Sequence, residues 1–223
     1  MKIKKILTGK YNPQEHLDLF QKTATQYGCH NMWLQKEVYA QFKLMHQEAL
    51  KDGIKLKIIS SIRNFERQKM IWNDKWTGKK LTQGIHLGMS NYSDGEKASK
   101  ILKYSAMPCS SRHHWGTDID LNSLEPHFFD VSEGLIIYNW LKSNAHKYGF
   151  YQVYDAKIKS QRTGYEEEKW HWSYLPTAQN YLIKYNELVD YKDYKGFLGA
   201  LMAKELQVIE LYVNGVNSTS IIF

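Results

Sequence analysis

The run Ser111-Arg112-His113-His114-Trp115-Gly116-Thr117-Asp118-Ile119-Asp120-Leu121 carries most of what the chain says about its fold. Gly116 marks a turn, and the residues after it alternate polar and apolar, the period of a short strand. Asp118 and Asp120, two apart, share one face of that strand. A histidine ahead of the turn and a carboxylate within the strand can present nitrogen and oxygen to one metal ion. A second run, Glu166-Glu167-Glu168-Lys169-Trp170-His171-Trp172, predicts another strand over 169–173, with Trp170 and Trp172 on one face and His171 on the other.

Catalytic zinc takes three protein ligands and keeps one position open. His113, Asp120 and His171 make such a set, and Glu168 could take the proton from a bound water. Positions three apart on a strand point to opposite faces, so Glu168 and His171 share a site only if Glu168 sits at a bend; Gly164 permits a loop there. Asp118 either competes for the ligand role or orients a histidine from behind. His114 reads as structural. His-His pairs and acidic runs also occur in ordinary surface segments, and Trp-His-Trp also fits an aromatic strand with a hydrogen-bonded histidine. These residues alone leave both readings open.

Outward from these runs, Leu34, Val38, Phe42, Met45 and Ala49 recur at helical spacing, with Gly53 as a stop. Ile54, Leu56 and Ile58 alternate with Lys55 and Lys57 as a half-buried strand. Asn64 caps a helix to about Trp76. Residues 77–95 form a glycine-containing loop. Asp94 caps a short helix running toward Met107 and ended by Pro108. Ser132 caps a helix to Ala145, stopped by Gly149. Residues 150–154 form a strand, and 177 onward a mostly helical tail. Helices and strands mix without a βαβ rhythm, which predicts an α+β fold, a small antiparallel sheet with flanking helices, in one domain over 1–223.

The 223 residues are 43% hydrophobic and 24% charged, a globular composition that needs no disulfide or metal merely to hold a core. No run approaches the roughly 18 apolar residues of a membrane span. The net charge is +7, yet the only arginines are Arg63, Arg67, Arg112 and Arg162. Nucleic-acid sites favour arginine forks, so a solvated lysine surface and an anionic small partner fit better than nucleic acid. Lys2, Lys4 and Lys5 precede no apolar h-region. Cys29 and Cys109 read as two isolated thiols. His16, His30, His46, His86, His127 and His146 read as surface or capping residues.

Together the runs resemble the VanY-type zinc D-alanyl-D-alanine carboxypeptidases of the LAS group of peptidoglycan peptidases. The family pattern S-x-H-x-x-G-x-A-x-D is filled by Ser111, His113, Gly116 and Asp120, with Asp118 in place of the alanine, and E-x-W-H by Glu168, Trp170 and His171. An upstream element, Y-R-S-x-x-x-Q, is met in part by Arg63 and Gln68, with Ile62 and Asn64 replacing the tyrosine and serine. The resemblance covers about 55–175. It implies a hedgehog/D,D-peptidase-like fold with a zinc cleft, Zn2+ held by His113, Asp120 and His171, and Glu168 as general base and later acid. It also implies that Arg63 pairs with a substrate oxyanion or carboxylate, with Gln68 and Ser111 lining that subsite. A guanidinium suits a free terminal carboxylate because it makes two parallel charge-assisted hydrogen bonds. On the residues alone, Arg63 would instead be a surface salt bridge. The implied protein is extracytoplasmic and acts on peptidoglycan stem peptides; separately from the resemblance, a monomer is expected. Alternatives are an L,D-carboxypeptidase, a D,D-dipeptidase, or a zinc-containing wall-binding module without turnover, against which Glu168 argues.

Overall fold

The computed structural model describes residues 2–217. Its strands are Phe20–Lys22 (β1), Trp33–Gln35 (β2), Ile58–Ser60 (β3), Asp118–Leu121 (β4), Phe150–Gln152 (β5) and His171–Tyr174 (β6). β1 and β2 form an antiparallel pair, and the other four an antiparallel sheet in the order β3-β4-β6-β5. The helices are Ile3–Leu7 (α1), Lys36–Lys51 (α2), Phe65–Trp76 (α3), Asp94–Leu102 (α4), Ser132–Asn144 (α5), Lys157–Ser160 (α6), Leu175–Leu188 (α7) and Met202–Glu205 (α8). This is the expected α+β architecture.

Alternation along β4 and β6 separates two kinds of interior. Ile119, Leu121, Trp172 and Tyr174 enter an apolar cluster with Val38, Phe42 and Met45 of α2 and Ile137 and Leu141 of α5. Asp118, Asp120, His171 and Ser173 occupy the opposite face and are buried as well. The register pairs Asp118 with Ser173 and Asp120 with His171. A slip of one residue would send all four polar groups into the apolar cluster, so burial fixes the register.

A second apolar cluster joins Leu7, Trp72 and Trp76 of α3, Ile101, Trp115, Tyr185 of α7, and Phe197, Val208 and Val213 beyond it. Segments before β1 and after β6 therefore meet around Trp115, with the Tyr181 and Tyr185 rings of α7 centred 6.2 Å from it. The N-terminal segment is tied down by hydrogen bonds from Phe65 N to Gly9 O (2.7 Å), Trp115 Nε1 to Leu7 O (3.3 Å) and Tyr11 Oη to His114 O (2.5 Å). On the other side, Tyr185 Oη donates to Cys109 O at 3.1 Å.

Several expected boundaries move. Ile54, Leu56 and Ile58 are buried as the alternation predicts, but the ladder begins only at Ile58. Ahead of it, Asn122 stands in for a partner strand: its side chain accepts from Lys57 N (3.2 Å) and donates to Lys55 O (2.9 Å). The cap of α4 is Ser93, in a reciprocal capping box with Glu96, not Asp94, and the helix ends at Leu102. Ser132 does not cap α5: it lies inside the first turn at φ +47°. The strand over 150–154 stops at Gln152. The tail is helical only in part: after α7 come single turns at Tyr191–Asp193, α8 and Ile209–Val213, while 218–223 lie outside the described residues. Residues 77–92 form a loop that holds a tight turn closed by Thr82 and Ile85 and a helical turn at Leu87–Met89. Both thiols are free, Cys29 exposed and Cys109 buried.

His46 is a core residue rather than a surface one. It is 6% exposed, its Nδ1 donates to Leu56 O at 2.9 Å, and it packs edge-on against Tyr27. Burial, with Lys55 nearby, pushes its pKa below the ordinary histidine value. The unfolded chain then binds a proton near pH 6.5 that the folded chain refuses, so this contribution is present above that pH and lost as pH falls. Thermal stability is expected to drop between pH 7.5 and 5.5, and to drop less in His46→Gln, which keeps a donor for Leu56 O. Identical pH dependence in the two proteins by differential scanning calorimetry would discard this assignment.

Candidate metal centre

Three neighbouring elements converge on the polar face of the sheet. A short helical turn at Arg112–Trp115 carries His113 and is closed by Gly116 in the left-handed conformation, φ +74°. A Cβ there would lie 2.9 Å from Ile62 Cδ1 and 3.0 Å from Phe20 Cε1, so both conformation and space demand glycine. The turn feeds directly into β4, whose Asp120 faces His171 across the ladder. One ligand atom from each of His113, Asp120 and His171 falls within 4.8 Å of the others.

The hydrogen bonds decide which nitrogen faces the centre. His113 Nδ1 donates to Ser61 O at 2.8 Å, which leaves Nε2 with its lone pair. That Nε2 lies 3.2 Å from Asp120 Oδ2 but makes no hydrogen bond to it, and it is a buried atom without a partner. Burial and the Arg63 guanidinium hold the His113 pKa below its usual value, so Nε2 stays unprotonated. His171 Nε2 donates to Asp118 Oδ2 at 2.8 Å, which turns Nδ1 toward Asp120 Oδ1 at 3.1 Å. Burial alone would neutralise His171, but hydrogen bonds to Asp118 and Asp120 outweigh it and raise its pKa to about 9, so Nδ1 holds a proton against Asp120 that a bound cation would displace. Two nitrogen donors and a carboxylate thus face one point, and a divalent cation fits that donor set.

Behind His171 lies a closed polar network. Asp118 Oδ2 also accepts from Arg112 Nε (2.9 Å), and its Oδ1 accepts from Thr117 Oγ1 (2.6 Å) and Ser173 Oγ (2.8 Å). Arg112 Nη2 donates to Ser173 Oγ at 2.6 Å, and the guanidinium lies 4.6 Å from the Trp115 ring centre. Burial opposes charge on Asp118, yet Arg112 and His171 hold its carboxyl well below the usual carboxylate range. Asp118 therefore sits beside His171 rather than in the ligand set. His114 is fully engaged, donating from Nδ1 to Arg63 O (2.5 Å) and accepting at Nε2 from Cys109 N (3.2 Å). Its burial drives its pKa down to about 3.

Glu168 sits at a turn rather than on the strand: His171 N donates back to Glu168 O at 3.2 Å. That turn brings Glu168 Oε2 to 3.6 Å from His171 Nδ1. Burial raises the Glu168 carboxyl to about 7 against the pull of His171 and Arg63, a value at which a carboxyl can exchange protons near neutral pH. Arg63 Nη2 lies 4.0 Å from Asp120 Oδ2, and its buried Nε has no hydrogen-bond partner among the described residues. All these groups open onto a cleft of about 800 Å³, which Ser111 also lines. Gln68 lies apart from the cleft lining: buried, it donates to Ala106 O at 2.7 Å.

Residues 31–177 match the family VanY, D-alanyl-D-alanine carboxypeptidase. The chain belongs to that family. YodJ of Bacillus subtilis (strain 168), named as a carboxypeptidase, is 28% identical over 188 residues, covering 82% of this chain and 61% of its own. A D-alanyl-D-alanine carboxypeptidase of Enterococcus faecalis is 28% identical over 124 residues, 56% of this chain and 41% of its own. The chain thus spans about 61% of one relative's length and 41% of the other's, under two thirds in both. Among solved structures, a D,D-pentapeptidase VanY mutant in complex with Zn(II) aligns with a TM-score of 0.53 at 21% identity, covering 82% of this chain and 88% of that one. The LD-carboxypeptidase LdcB aligns with a TM-score of 0.53 at 23% identity, covering 81% and 77%. These likenesses establish the shared fold. Among the described residues no helix is long and apolar enough to cross a membrane.

Sequence reasoning passed over two residues of this VanY-family site. Arg112 was legible as a cation beside a histidine pair, but its partners Asp118 and Ser173 come together only through the sheet. Tyr154, whose ring centre is 4.8 Å from that of His171, follows the end of β5 and carries no spacing signal.

Proposed function

We propose that this VanY-family protein is a zinc-dependent D,D-carboxypeptidase that releases the C-terminal D-alanine of peptidoglycan stem peptides. The observation that carries the reading is the pair of inward nitrogens, His113 Nε2 and His171 Nδ1, converging on Asp120 with Glu168 beside them. His113, Asp120 and His171 would hold zinc, which when bound supplies a Lewis acid and an acidified water. Glu168 takes the proton from the attacking water and returns it to the nitrogen of the departing D-alanine as the amide C–N bond breaks. Arg63 pairs with the terminal carboxylate of the substrate; Ser111 lines that subsite, and Gln68 acts on it only from behind, by holding the Ala106 carbonyl of the cleft wall. Asp118 fixes His171 with Nε2 protonated, so that Nδ1 is the nitrogen offered. In this reading the whole chain is one peptidase unit, acting as a monomer outside the cytoplasm, where its substrate lies.

The test is mass spectrometry of purified pentapeptide and tetrapeptide stems after incubation, with and without a zinc chelator. One D-alanine lost from the pentapeptide, abolished by chelation and restored by zinc, is the expected outcome. Release from the tetrapeptide alone would move the assignment to an L,D-carboxypeptidase, and release of a dipeptide to a dipeptidase. Zinc bound without cleavage of either would leave a wall-binding module. By calorimetry the protein is expected to take up one zinc ion, and His113→Ala to lose it; undiminished binding by His113→Ala would remove that residue from the ligand set.

A further inference from the structure

Arg67, Ile71 and Lys75 of α3 all line the cleft at intervals of four residues, so one face of this helix forms its wall. At 1.5 Å of rise per residue, Arg67 and Lys75 lie about 12 Å apart along the axis. Lys80, from the loop after α3, extends the same wall. Among the described residues none of these three cations is ion-paired, whereas their neighbours Lys69 and Lys79 are, with Glu66 and Asp74. Arg67 reaches only Met70 Sδ, at 3.9 Å.

Lys75 stands out. It is half-buried, and its Nζ donates to the Ser105 hydroxyl at 2.5 Å rather than to a carboxylate. Burial and the charges of Arg63 and Lys80 push its pKa down, and only Glu168 acts the other way. Desolvating an ammonium among other cations is unfavourable unless an anion completes the arrangement. The terminal carboxylate cannot be the whole answer. One guanidinium fork, that of Arg63, satisfies it, whereas an extended peptide advances about 3.3 Å per residue and would pass the α3 wall over three or four residues.

We propose that the α3 wall is a second anion subsite, which takes a side-chain carboxylate on the residues upstream of the scissile bond and so selects acidic peptides as substrates. A stem with a diamino diacid ahead of the D-alanines would be preferred to one with lysine, which differs from it only in lacking that carboxylate. The inference rests on the peptidase reading above and narrows its substrate class.

The experiment compares two synthetic peptides ending in D-alanyl-D-alanine, one with diaminopimelate and one with lysine at the preceding position. The wild-type protein is expected to show a ratio of kcat/KM of at least about tenfold in favour of the diacid, worth about 1.4 kcal/mol. K75Q is expected to collapse that ratio and the double variant K75Q/K80Q to abolish it, with fold checked by circular dichroism and zinc content. Equal hydrolysis of both peptides by the wild type would overturn the subsite and leave the reaction standing, and so would a wild-type ratio in K75Q. Calorimetric binding of both peptides to zinc-loaded Glu168→Gln separates the two readings. Preferential binding of the diacid without wild-type hydrolysis would support the subsite and sink the reaction; neither binding nor hydrolysis would sink both.

Discussion

Glu168→Gln is expected to lower kcat by about 10²–10⁴-fold while zinc stoichiometry and affinity stay close to wild type. The expectation follows from the distinct positions of the carboxylates. Asp120 lies between two imidazoles, within reach of both inward nitrogens, whereas Glu168 approaches one of them only at 3.6 Å, from the turn before β6. Removing its charge deletes the proton acceptor but none of the three converging donors. The amide of glutamine is of similar size and fills the same buried volume, so packing is conserved. Equilibrium dialysis for zinc beside peptide turnover checks the split. Retained turnover would overturn the base assignment, and joint loss of zinc and turnover would make Glu168 a ligand instead.

The second large effect concerns the charge buried behind the site. Asp118→Ala is expected to destabilise the fold by about 3–5 kcal/mol, because Arg112 is left without a counter-ion in a place that is 2% exposed. For a chain of this size that is a fall in Tm of roughly 10 °C. Stability alone would not distinguish packing from positioning, so the informative protein is the double variant Arg112→Met/Asp118→Leu. Replacing both charges with apolar groups is expected to recover most of the Tm. The hydrogen bond at 2.8 Å that keeps His171 Nε2 protonated is not recovered. Zinc affinity in the double variant is therefore expected to remain about 10–100-fold weaker. The absorption bands of the cobalt-substituted protein should shift with it. Wild-type affinity in the stable double variant would reduce Asp118 to a structural residue.

What the sequence disclosed and what it hid divide along physical lines. His113, Gly116 and Asp120 were legible because a turn and a strand are local, and their spacing alone constrains direction. His171 was legible as the middle of an alternating Trp-His-Trp, and the ladder then set it opposite Asp120. The start of β3 was not legible, since Lys55 and Lys57 are bonded by the side chain of a distant asparagine and alternate in burial without a partner strand. The capping box of α4 was open to reading, as Ser93 and Glu96 stand three apart, but the adjacent Asp94 competes for the same role. Arg112 and Lys75 were hidden for a different reason. A cation's role depends on which charges surround it, and those come from elements tens of residues away.

The segments that meet around Trp115 lie partly outside the stretch that defines the family. The stretch that matches the family model runs from 31 to 177, yet Leu7, Gly9 and Tyr11 lie before it and Tyr185 after it. Their hydrogen bonds land on the Trp115 indole and on the backbone of Phe65, His114 and Cys109, in the segments around His113. The matched stretch is thus shorter than the packed unit around it. Grafting or expressing residues 31–177 alone would transplant every proposed ligand and leave behind the walls that hold one of them in place.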